Sequence, residues 1–477
     1  MRYGLALGAL VGGTLVVHAA HAGSFPVTST NDSGAGTLRD AITRANASPG
    51  PHTIPIAVTG TISLASELPN IAQAMTITGP GAAKLTVQRG SGTRYALLTI
   101  ANAAVEIQGL TIARGEGGTI GGVGGIDVRG GSLSLSDCVL LENSGDTASA
   151  IYASGELSIT RSVIRNNAGR YSAVYATGTT TITDTTIADN TVTAIVFPPD
   201  GRVLTIERST ISGNRSDRGV GGLQLQGGTA VIRNSTFSGN TGRQAGDFWT
   251  YSDGVTFRLL NVTAIGSSSP SIWTSNAGTV YLRNTLLGGT GARCSLGRGG
   301  IVTEGNNLSS DATCALNAPS DKPNTAPQAA PLADNGGFTK THALLAGSPA
   351  INSGNNTALL TTDQRGKPRI AAGTIDIGAY EVEDEIDAGA DGGDAGTDAD
   401  AGDASPPDSG LPRDAGSRPR DAGTNAGGDA GDDPHPASPS SDGCDCVAAG
   451  TSYGTGPATA ASSLAFALLF ARRRRRS

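Results

Sequence analysis

The sequence predicts an all-β protein: a single-stranded, right-handed parallel β-helix with a cap at each end, followed by a disordered acidic linker. The first observation is a repeated heptapeptide, RSTISGN at 208–214 and NSTFSGN at 234–240. Weaker copies precede it, and the asparagines that close the copies recur at intervals of 24, 23, 24 and 26 residues, at Asn143, Asn167, Asn190, Asn214 and Asn240. The second observation is the composition, with 69 glycines, 4% aromatic and 16% charged residues. This period is typical of a solenoid, and this composition suits short strands and turns.

Each repeat contains further short segments in which apolar residues alternate. One lies directly before the heptapeptide, as in LSIT (157–160), and another lies before that, as in AIYA (150–153). Because side chains alternate between the faces of a strand, the valines, isoleucines and leucines would fill the interior of a coil with three strands per turn. Strands of successive turns would pair in register, about 4.8 Å apart. The five asparagines would form a structural ladder at one corner, since an amide both donates and accepts and tolerates turn conformations.

The net charge of −7 is unevenly distributed along the chain. Residues 383–442 contain sixteen acidic residues and three arginines, which gives −13, whereas residues 23–382 contain 25 basic and 24 acidic residues. The first of these segments cannot bury enough apolar surface to offset its ordering entropy, so we expect it to be disordered. The nearly neutral body offers no basic stripe to neutralise phosphates, which argues against a nucleic-acid partner.

The first residues are typical of a secretory signal peptide. One arginine precedes an apolar stretch, and AHA at 20–22 fits the rule of small residues around a cleavage site, so cleavage is expected after Ala22. Retention of this stretch as a membrane anchor is the alternative. The predicted segments are therefore a signal peptide (1–22), an N-terminal cap with the first rungs (23–95), the repeats (96–290), a C-terminal cap (291–382), the linker (383–442) and a tail (443–477).

Both caps carry motifs of known families. In residues 25–48, FPVTSTNDSGAGTLRDAITRANAS, Thr37 can cap a helix that begins at Leu38, and the segment resembles the start of CSLREA-type bacterial β-helix surface proteins. At the other end, the motifs LRNTLLGG, EGNNLSSDATCAL, PLADNGGFTKTHALLAGSPAINSG and TIDIGAYE follow in order between residues 282 and 381. They resemble the choice-of-anchor Q domain, which implies the end of a β-helix on a bacterial surface protein with interchangeable anchors.

The tail combines DGCDC (442–446), a short apolar run (457–471) and five arginines (472–476). It resembles the MYXO-CTERM sorting tail, which implies removal by a sorting protease, attachment to the outer membrane of a Gram-negative cell, and processing or lipidation at Cys444 or Cys446. A plain transmembrane anchor is the alternative, although a weakly apolar run of fifteen residues is short for the roughly 20 that span a bilayer.

The remaining cysteines do not have the spacing of a zinc site. Cys294 and Cys314 flank a short loop and would be bridged in an oxidising compartment, with two free thiols as the alternative. Cys138 occupies the position at which other repeats have Ser162, Thr185, Ser209 and Ser235, so we expect a small buried residue.

The sequence predicts no catalytic residue, metal site or cofactor. β-Helix glycoside hydrolases need grouped carboxylates with a nearby histidine, but His52 and His342, the two histidines between 23 and 382, both lie in the predicted caps. β-Helix lyases need several acidic Ca²⁺ ligands beside a basic residue. Asp127 and Arg129 would share an outward face, yet the following turns carry no acid at that position. Lyase or hydrolase activity stays open as an alternative.

Seven outward positions of the first strand form a line, and all of them except Val196 are candidate ligand contacts. The seven positions are Asp127, Tyr152, Tyr175, Val196, Gln224, Trp249 and Trp273, and we call this set the row. Trp249 and Trp273, the two tryptophans of the chain, should stack on adjacent turns. Exposed aromatic side chains in line are suited to a sugar chain or an apolar partner. The sequence therefore favours a secreted, surface-anchored module that binds a polysaccharide or another surface ligand, with a purely structural surface component as a further alternative if the row is covered.

Overall fold

The computed structural model describes residues 22–383 apart from 91, 119–120, 199–201, 269, 359 and 371–372. All of these residues belong to one compact unit, Met1–Gly392. The predicted signal peptide up to residue 21, the linker after Glu383 and the tail with Cys444 and Cys446 lie outside the described residues. Among the described residues, no helix has the length and apolar character needed to cross a membrane.

The predicted all-β, right-handed parallel solenoid is confirmed. The chain winds through about 10 turns, and most turns place one strand in each of three parallel sheets. The first sheet contains the strands Leu98–Gln108, Ile126–Ser136, Ala148–Ala153, Ser172–Ala176, Thr193–Phe197, Leu223–Leu225, Phe248–Thr250, Ile272–Thr274 and Cys294–Leu296.

The second sheet begins earlier in the chain and shares four long strands with its neighbours. Its strands are His52–Pro55, Met75–Thr78, Leu98–Gln108, Ile126–Ser136, Glu156–Thr160, Thr180–Thr183, Val203–Glu207, Thr229–Ser238, Thr256–Ile265, Thr279–Arg283 and Gly300–Thr303. The third sheet contains Gly60–Leu64, Leu85–Arg89, Thr111–Ala113, Val139–Leu141, Val163–Arg165, Thr186–Ala188, Thr210–Ser212, the ends of Thr229–Ser238 and Thr256–Ile265, Leu286–Gly288 and Leu308–Ser309. The first rungs precede residue 96, and the last ones continue past residue 290 into the predicted C-terminal cap, as far as Ser309.

Equivalent residues of successive turns pair directly, as the repeated heptapeptides predict. Ile187 pairs with Ile211 and Ile211 with Phe237 in the third sheet, and all three are fully buried. One continuous apolar core runs through the coil from Val27 to Leu316. Two small parallel ladders occupy corner loops, Ser144–Gly145 with Ala168–Gly169 and Arg215–Ser216 with Thr241–Gly242.

The five asparagines lie on top of one another at the corner after the third sheet. Each side chain is fully buried, and Nδ2 of each of the first four asparagines donates to Oδ1 of the next over 2.8–3.0 Å. The same Oδ1 also accepts the backbone N–H of the preceding turn's asparagine, as in Asn143 N to Asn167 Oδ1 at 2.9 Å. All amide dipoles point the same way, an arrangement in which successive hydrogen bonds polarise one another.

A buried carboxylate receives the last amide of this ladder. Asn240 Nδ2 and Ser267 Oγ donate to Asp247 Oδ1 over 3.0 and 2.7 Å, and Ser271 Oγ donates to Oδ2. Asp247 is fully buried, and desolvation raises its pKa although the three donors act in the opposite direction. The donor end of the ladder, Asn240 Nδ2, carries partial positive charge and thus donates to an acidic side chain, Asp247.

A second ladder of short side chains precedes the third strand. Backbone N–H groups donate to the hydroxyl of the next turn in sequence, from Cys138 to Ser162, Ser162 to Thr185, Thr185 to Ser209 and Ser209 to Ser235. Cys138 is a buried free thiol, and burial raises its pKa to about 11. The thiol therefore acts as a small core side chain.

The N-terminal end of the coil is closed by an amphipathic helix, Leu38–Asn46, whose start was predicted. Thr37 is its N-cap, and its hydroxyl accepts the N–H of Asp40 over 3.2 Å. The helix buries Leu38, Ala41, Ile42 and Ala45 against the core. It thereby covers apolar surface that a solenoid end would otherwise expose.

The C-terminal end of the coil is closed by a loop that a disulfide joins to the last rungs. Cys294 in the first sheet is bonded to Cys314, at a sequence separation of 20. Cys314 and Leu316 belong to the apolar core, and Lys322 pairs with Leu308 at the edge of the third sheet. Residues 310–324 therefore cover the end of the core.

The rest of the predicted C-terminal cap has a different position from the one expected. Residues 325–383, which we call the C-terminal segment, run back along the outer face of the third sheet. Gln364 exchanges hydrogen bonds with Thr236 and Thr210, and Ala379 N donates to Thr263 Oγ1. The segment contains a short 3₁₀ helix, Asn356–Ala358. It covers a flank of the coil and not its end, because the outward threonines of this sheet offer hydroxyl groups to its polar side chains.

Two buried ion pairs lie within the C-terminal segment. Arg365 Nε is 2.8 Å from Asp363 Oδ2, and Arg369 Nη1 is 3.4 Å from Glu381 Oε2, with all four side chains nearly inaccessible to solvent. Desolvation raises the pKa of Glu381 to about 8 and lowers the pKa of Arg369. His342 is also buried here, between Ala330 O and Ser238 Oγ at 2.7 and 2.9 Å, which gives it a packing role.

Candidate functional site

The row lies in unbroken register along the outer face of the first sheet. Pairing runs from Asp127 to Tyr152 to Tyr175, then through Val196 to Gln224, Trp249 and Trp273. The inward neighbours of these positions, such as Ile151 and Val174, are fully buried in the core. All candidate ligand contacts are therefore brought together on one surface. They follow the coil axis, and the distance from Tyr152 to Trp273 is five rung spacings, ~24 Å.

The tryptophan pair forms one end of the row. The rings of Trp249 and Trp273 are stacked with centroids 5.2 Å apart and planes 10° apart. Trp249 Nε1 donates to Ser275 Oγ over 2.9 Å, and its ring meets the edge of the exposed Tyr251 at 4.9 Å. A fixed ring orientation of this kind presents the face of Trp273 as a platform.

The tyrosine pair forms the other end, beside a groove of about 490 Å³. The rings of Tyr152 and Tyr175 are stacked at 5.6 Å with planes 15° apart. The groove is lined by both tyrosines and by Asp127, Arg129, Gly121, Val123, Thr147 and Ser154. Aromatic faces and polar groups thus share one concave surface, which is the usual composition of a small-ligand site.

Asp127 and Arg129 form an ion pair in this groove. Arg129 donates to Asp127 Oδ2 from Nε over 2.8 Å and from Nη2 over 2.7 Å. The hydrogen bond to Asp127 raises the pKa of Arg129, and desolvation, assisted by the Asp127 charge, raises the pKa of Tyr152. Tyr152 therefore stays a neutral hydroxyl that can donate or accept, and Arg129 stays a cation whose exposed end can donate to a ligand.

The expectation that the whole row is exposed is wrong at four positions. Val196 is 3% exposed. Asp127 is 5%, Trp249 8% and Gln224 9% exposed. Loops that cross the outer face explain the burial of the last two, because Val220 and Ala245 pack on Trp249, and Gly219 lies over the Gln224 side chain. Tyr152, Tyr175 and Trp273 are partly exposed and remain able to contact a ligand.

Two residues near the row were missed by sequence reasoning. Asp247 lies one position before the strand Phe248–Thr250 and ends the asparagine ladder, as described above. Arg293 is fully buried and donates to the carbonyl oxygens of Gly291, Gly288 and Thr290. A charged residue placed directly before an alternating strand is the signal that could have drawn attention to both positions.

The described residues contain no group of three or more His, Cys, Asp or Glu side chains that could hold a metal ion. Asp363, in the TDQRG motif, accepts the backbone N–H groups of Arg365, Lys367 and Glu381. Its carboxylate oxygens thus take part in a turn and an ion pair.

Comparison with known proteins agrees with the coil geometry. Residues 95–287 and 172–321 match the model of a family described as a right handed beta helix region. Five chains of known structure also match. One is the crystal structure of pectate lyase Pel9A, which is 14% identical, aligns with 76% of this chain and 97% of its own length, and has a TM-score of 0.46. Among curated proteins none matches. The two matched ranges include every position of the row.

Proposed function

We propose that this β-helix protein is a non-catalytic binding module of the cell surface, and that it holds a polysaccharide along the row of the first sheet. The observation that carries the proposal is the pair of stacked aromatic platforms, Tyr152 with Tyr175 and Trp249 with Trp273, on one straight face. Sugar rings present apolar C–H faces that pack on aromatic rings, and hydroxyl groups that need polar partners at the edge. Arg129 supplies such a partner, because its side chain is 65% exposed and is held in place by Asp127.

The direction of the row favours a chain-like ligand over a compact one. From Tyr152 to Trp273 the row follows the coil axis for ~24 Å, with partly exposed aromatic side chains at each end. An extended polysaccharide is long enough to contact both ends. Secretion and attachment belong to the proposal as well, supported by the disulfide Cys294–Cys314, which is typical of oxidising compartments, and by the family resemblances of the tail.

Truncation of the exposed aromatic residues tests this proposal. The full-length chain with Tyr175→Ala or Trp273→Ala is expected to bind a glycan ligand about tenfold more weakly, since each ring contributes one stacking contact. The measurement is a glycan array followed by titration calorimetry on the best ligand. Tyr281→Ala is the matched control, because Tyr281 lies outward on the second sheet, under Arg258. Trp249 is less suitable, since its burial makes truncation disruptive.

Three outcomes would contradict the proposal in different ways. Equal binding by the row variants and the wild type would place the ligand elsewhere. Release of unsaturated or reducing sugar from a polysaccharide would favour the lyase or hydrolase alternative. Absence of binding to any glycan would favour a purely structural surface component.

A further inference from the structure

The loops beside the tryptophan platform carry cationic side chains that have no acidic partner. Arg218 and Arg243 are exposed, and neither forms an ion pair or a side-chain hydrogen bond with the residues that the structure describes. Arg215, next to them, is paired with Asp217 at 3.1 Å. Three guanidinium groups are therefore balanced by one carboxylate, whereas the body of the protein as a whole is almost neutral.

The backbone places these arginines next to each other. The loops 215–220 and 241–245 run in parallel, with Arg215 paired to Thr241 and Val220 to Ala245. Arg243 N donates to Ser216 O over 3.3 Å, and Gln244 N donates to Gly219 O over 3.1 Å. The backbones of the two loops are consequently separated by one rung, about 4.8 Å.

The same loops touch the row. Val220, two residues after Arg218, and Ala245, two residues after Arg243, form an apolar cluster with Trp249, and Trp273 packs against it. A shallow depression of about 380 Å³ lies between the loops, lined by Arg215, Ser216, Asp217, Thr241, Gly242 and Arg243. A ligand bound on the tryptophan platform would thus have the unpaired cations Arg218 and Arg243 at its side. We call these two residues the rim. The tyrosine end differs, because Arg129 there is neutralised by Asp127.

We propose that the polysaccharide held by the row is anionic, and that Arg218 and Arg243 receive its carboxylate groups beside the tryptophan platform. This inference rests on the proposed function and adds the ligand's charge class. A guanidinium binds a carboxylate through two parallel N–H donors. These residues can therefore bind an acidic sugar more tightly than a neutral sugar, which offers only hydroxyl groups. The one-rung separation suits a repeating polyanion.

The test compares a polyuronate with a neutral β-glucan of matched chain length, each titrated into the full-length chain by calorimetry. The polyuronate is expected to bind more tightly, and its affinity should fall as salt is raised, because exposed charges are screened. The double variant Arg218→Gln/Arg243→Gln is expected to lose about tenfold in polyuronate affinity and little in glucan affinity. The matched control is Arg165→Gln/Arg202→Gln, which removes two exposed arginines from other faces of the coil and should bind like the wild type.

The outcomes separate this inference from the proposed function. If the two glycans bind equally, Trp273→Ala weakens both and the double arginine variant changes neither, then the row binds glycans and the charge assignment is wrong. If the control variant loses as much affinity as the Arg218/Arg243 variant, the loss comes from the lower positive charge of the whole protein, and the assignment is also wrong. If a single-stranded oligonucleotide binds more tightly than the polyuronate, the two arginines of the rim bind a nucleic acid and the polysaccharide assignment is wrong. If neither glycan binds, both proposals fail.

Discussion

At the scale of single residues, the asparagine ladder shows how one side chain can serve three partners. Asn190 donates through Nδ2 to Asn214 Oδ1 and to Ile164 O, and its own Oδ1 accepts the backbone N–H of Asn167. No solvent reaches it, so each of these groups depends on protein partners alone. The role of the asparagines could be predicted because an amide recurs at a regular period. The last acceptor, Asp247, could not be predicted, because it lies seven positions after Asn240 and outside that period.

Asn190→Ala is expected to lower the free energy of unfolding by about 2–3 kcal/mol, since the buried donors of Asn167 lose their acceptor and the buried acceptors Asn214 Oδ1 and Ile164 O lose a donor. Chemical denaturation followed by circular dichroism would measure this change. Thr191→Ala, at the exposed neighbouring position, should alter stability by less than about 0.5 kcal/mol and serves as the control. Equal stability of Asn190→Ala and wild type would show that the ladder adds nothing.

At the scale of elements, local periodicity determined what was predictable. A strand period of two assigns inward and outward positions, so the register of the row and the start of the helix at Leu38 followed from the sequence. The loops 215–220 and 241–245 have no such period, and their packing on Trp249 could not be inferred. The C-terminal segment was also misplaced, because the contacts of Gln364 with Thr210 and Thr236 join residues more than a hundred positions apart and leave no local pattern.

The buried pair Arg369–Glu381 makes the docking of the C-terminal segment depend on pH. Burial raises the pKa of Glu381 from 4.5 to about 8, so the folded state binds a proton more readily than the unfolded state. The contribution of this proton to stability is present in full below pH 4.5 and is lost as the pH rises through about 8. Unfolding free energy measured between these limits should therefore decline for the wild type.

The variant Glu381→Gln removes the titrating group and should give a flatter pH profile over the same range. Its stability should be closest to that of the wild type at the acid end of the range, where Glu381 is protonated and neutral as well. Glu106→Gln, at an exposed position on the second sheet, is the control and should keep the wild-type slope. A Glu381→Gln profile as steep as that of the wild type would assign the pH dependence to other groups.

At the scale of the whole molecule, the three sheets have different surroundings. The third sheet is covered from Thr210 onwards by the C-terminal segment, and the first sheet carries the row with its crossing loops. The outer face of the second sheet carries mainly serine and threonine, as at Ser134 and Thr181. The first sheet carries two stacked aromatic pairs and an ion pair on its outer face, whereas Tyr281 on the second sheet lies under Arg258 without a stacked aromatic partner among the described residues. This difference is the reason for assigning ligand binding to the first sheet.

The most direct test of the account is tryptophan fluorescence during ligand titration, because both tryptophans of the chain lie in the row. Addition of a polysaccharide that binds in calorimetry should change the emission saturably, with the midpoint given by the calorimetric Kd. In Trp273→Phe the remaining, buried Trp249 should respond much less, although the ligand still binds. Saturable binding in calorimetry with unchanged wild-type emission would contradict the central claim that the polysaccharide lies on the row.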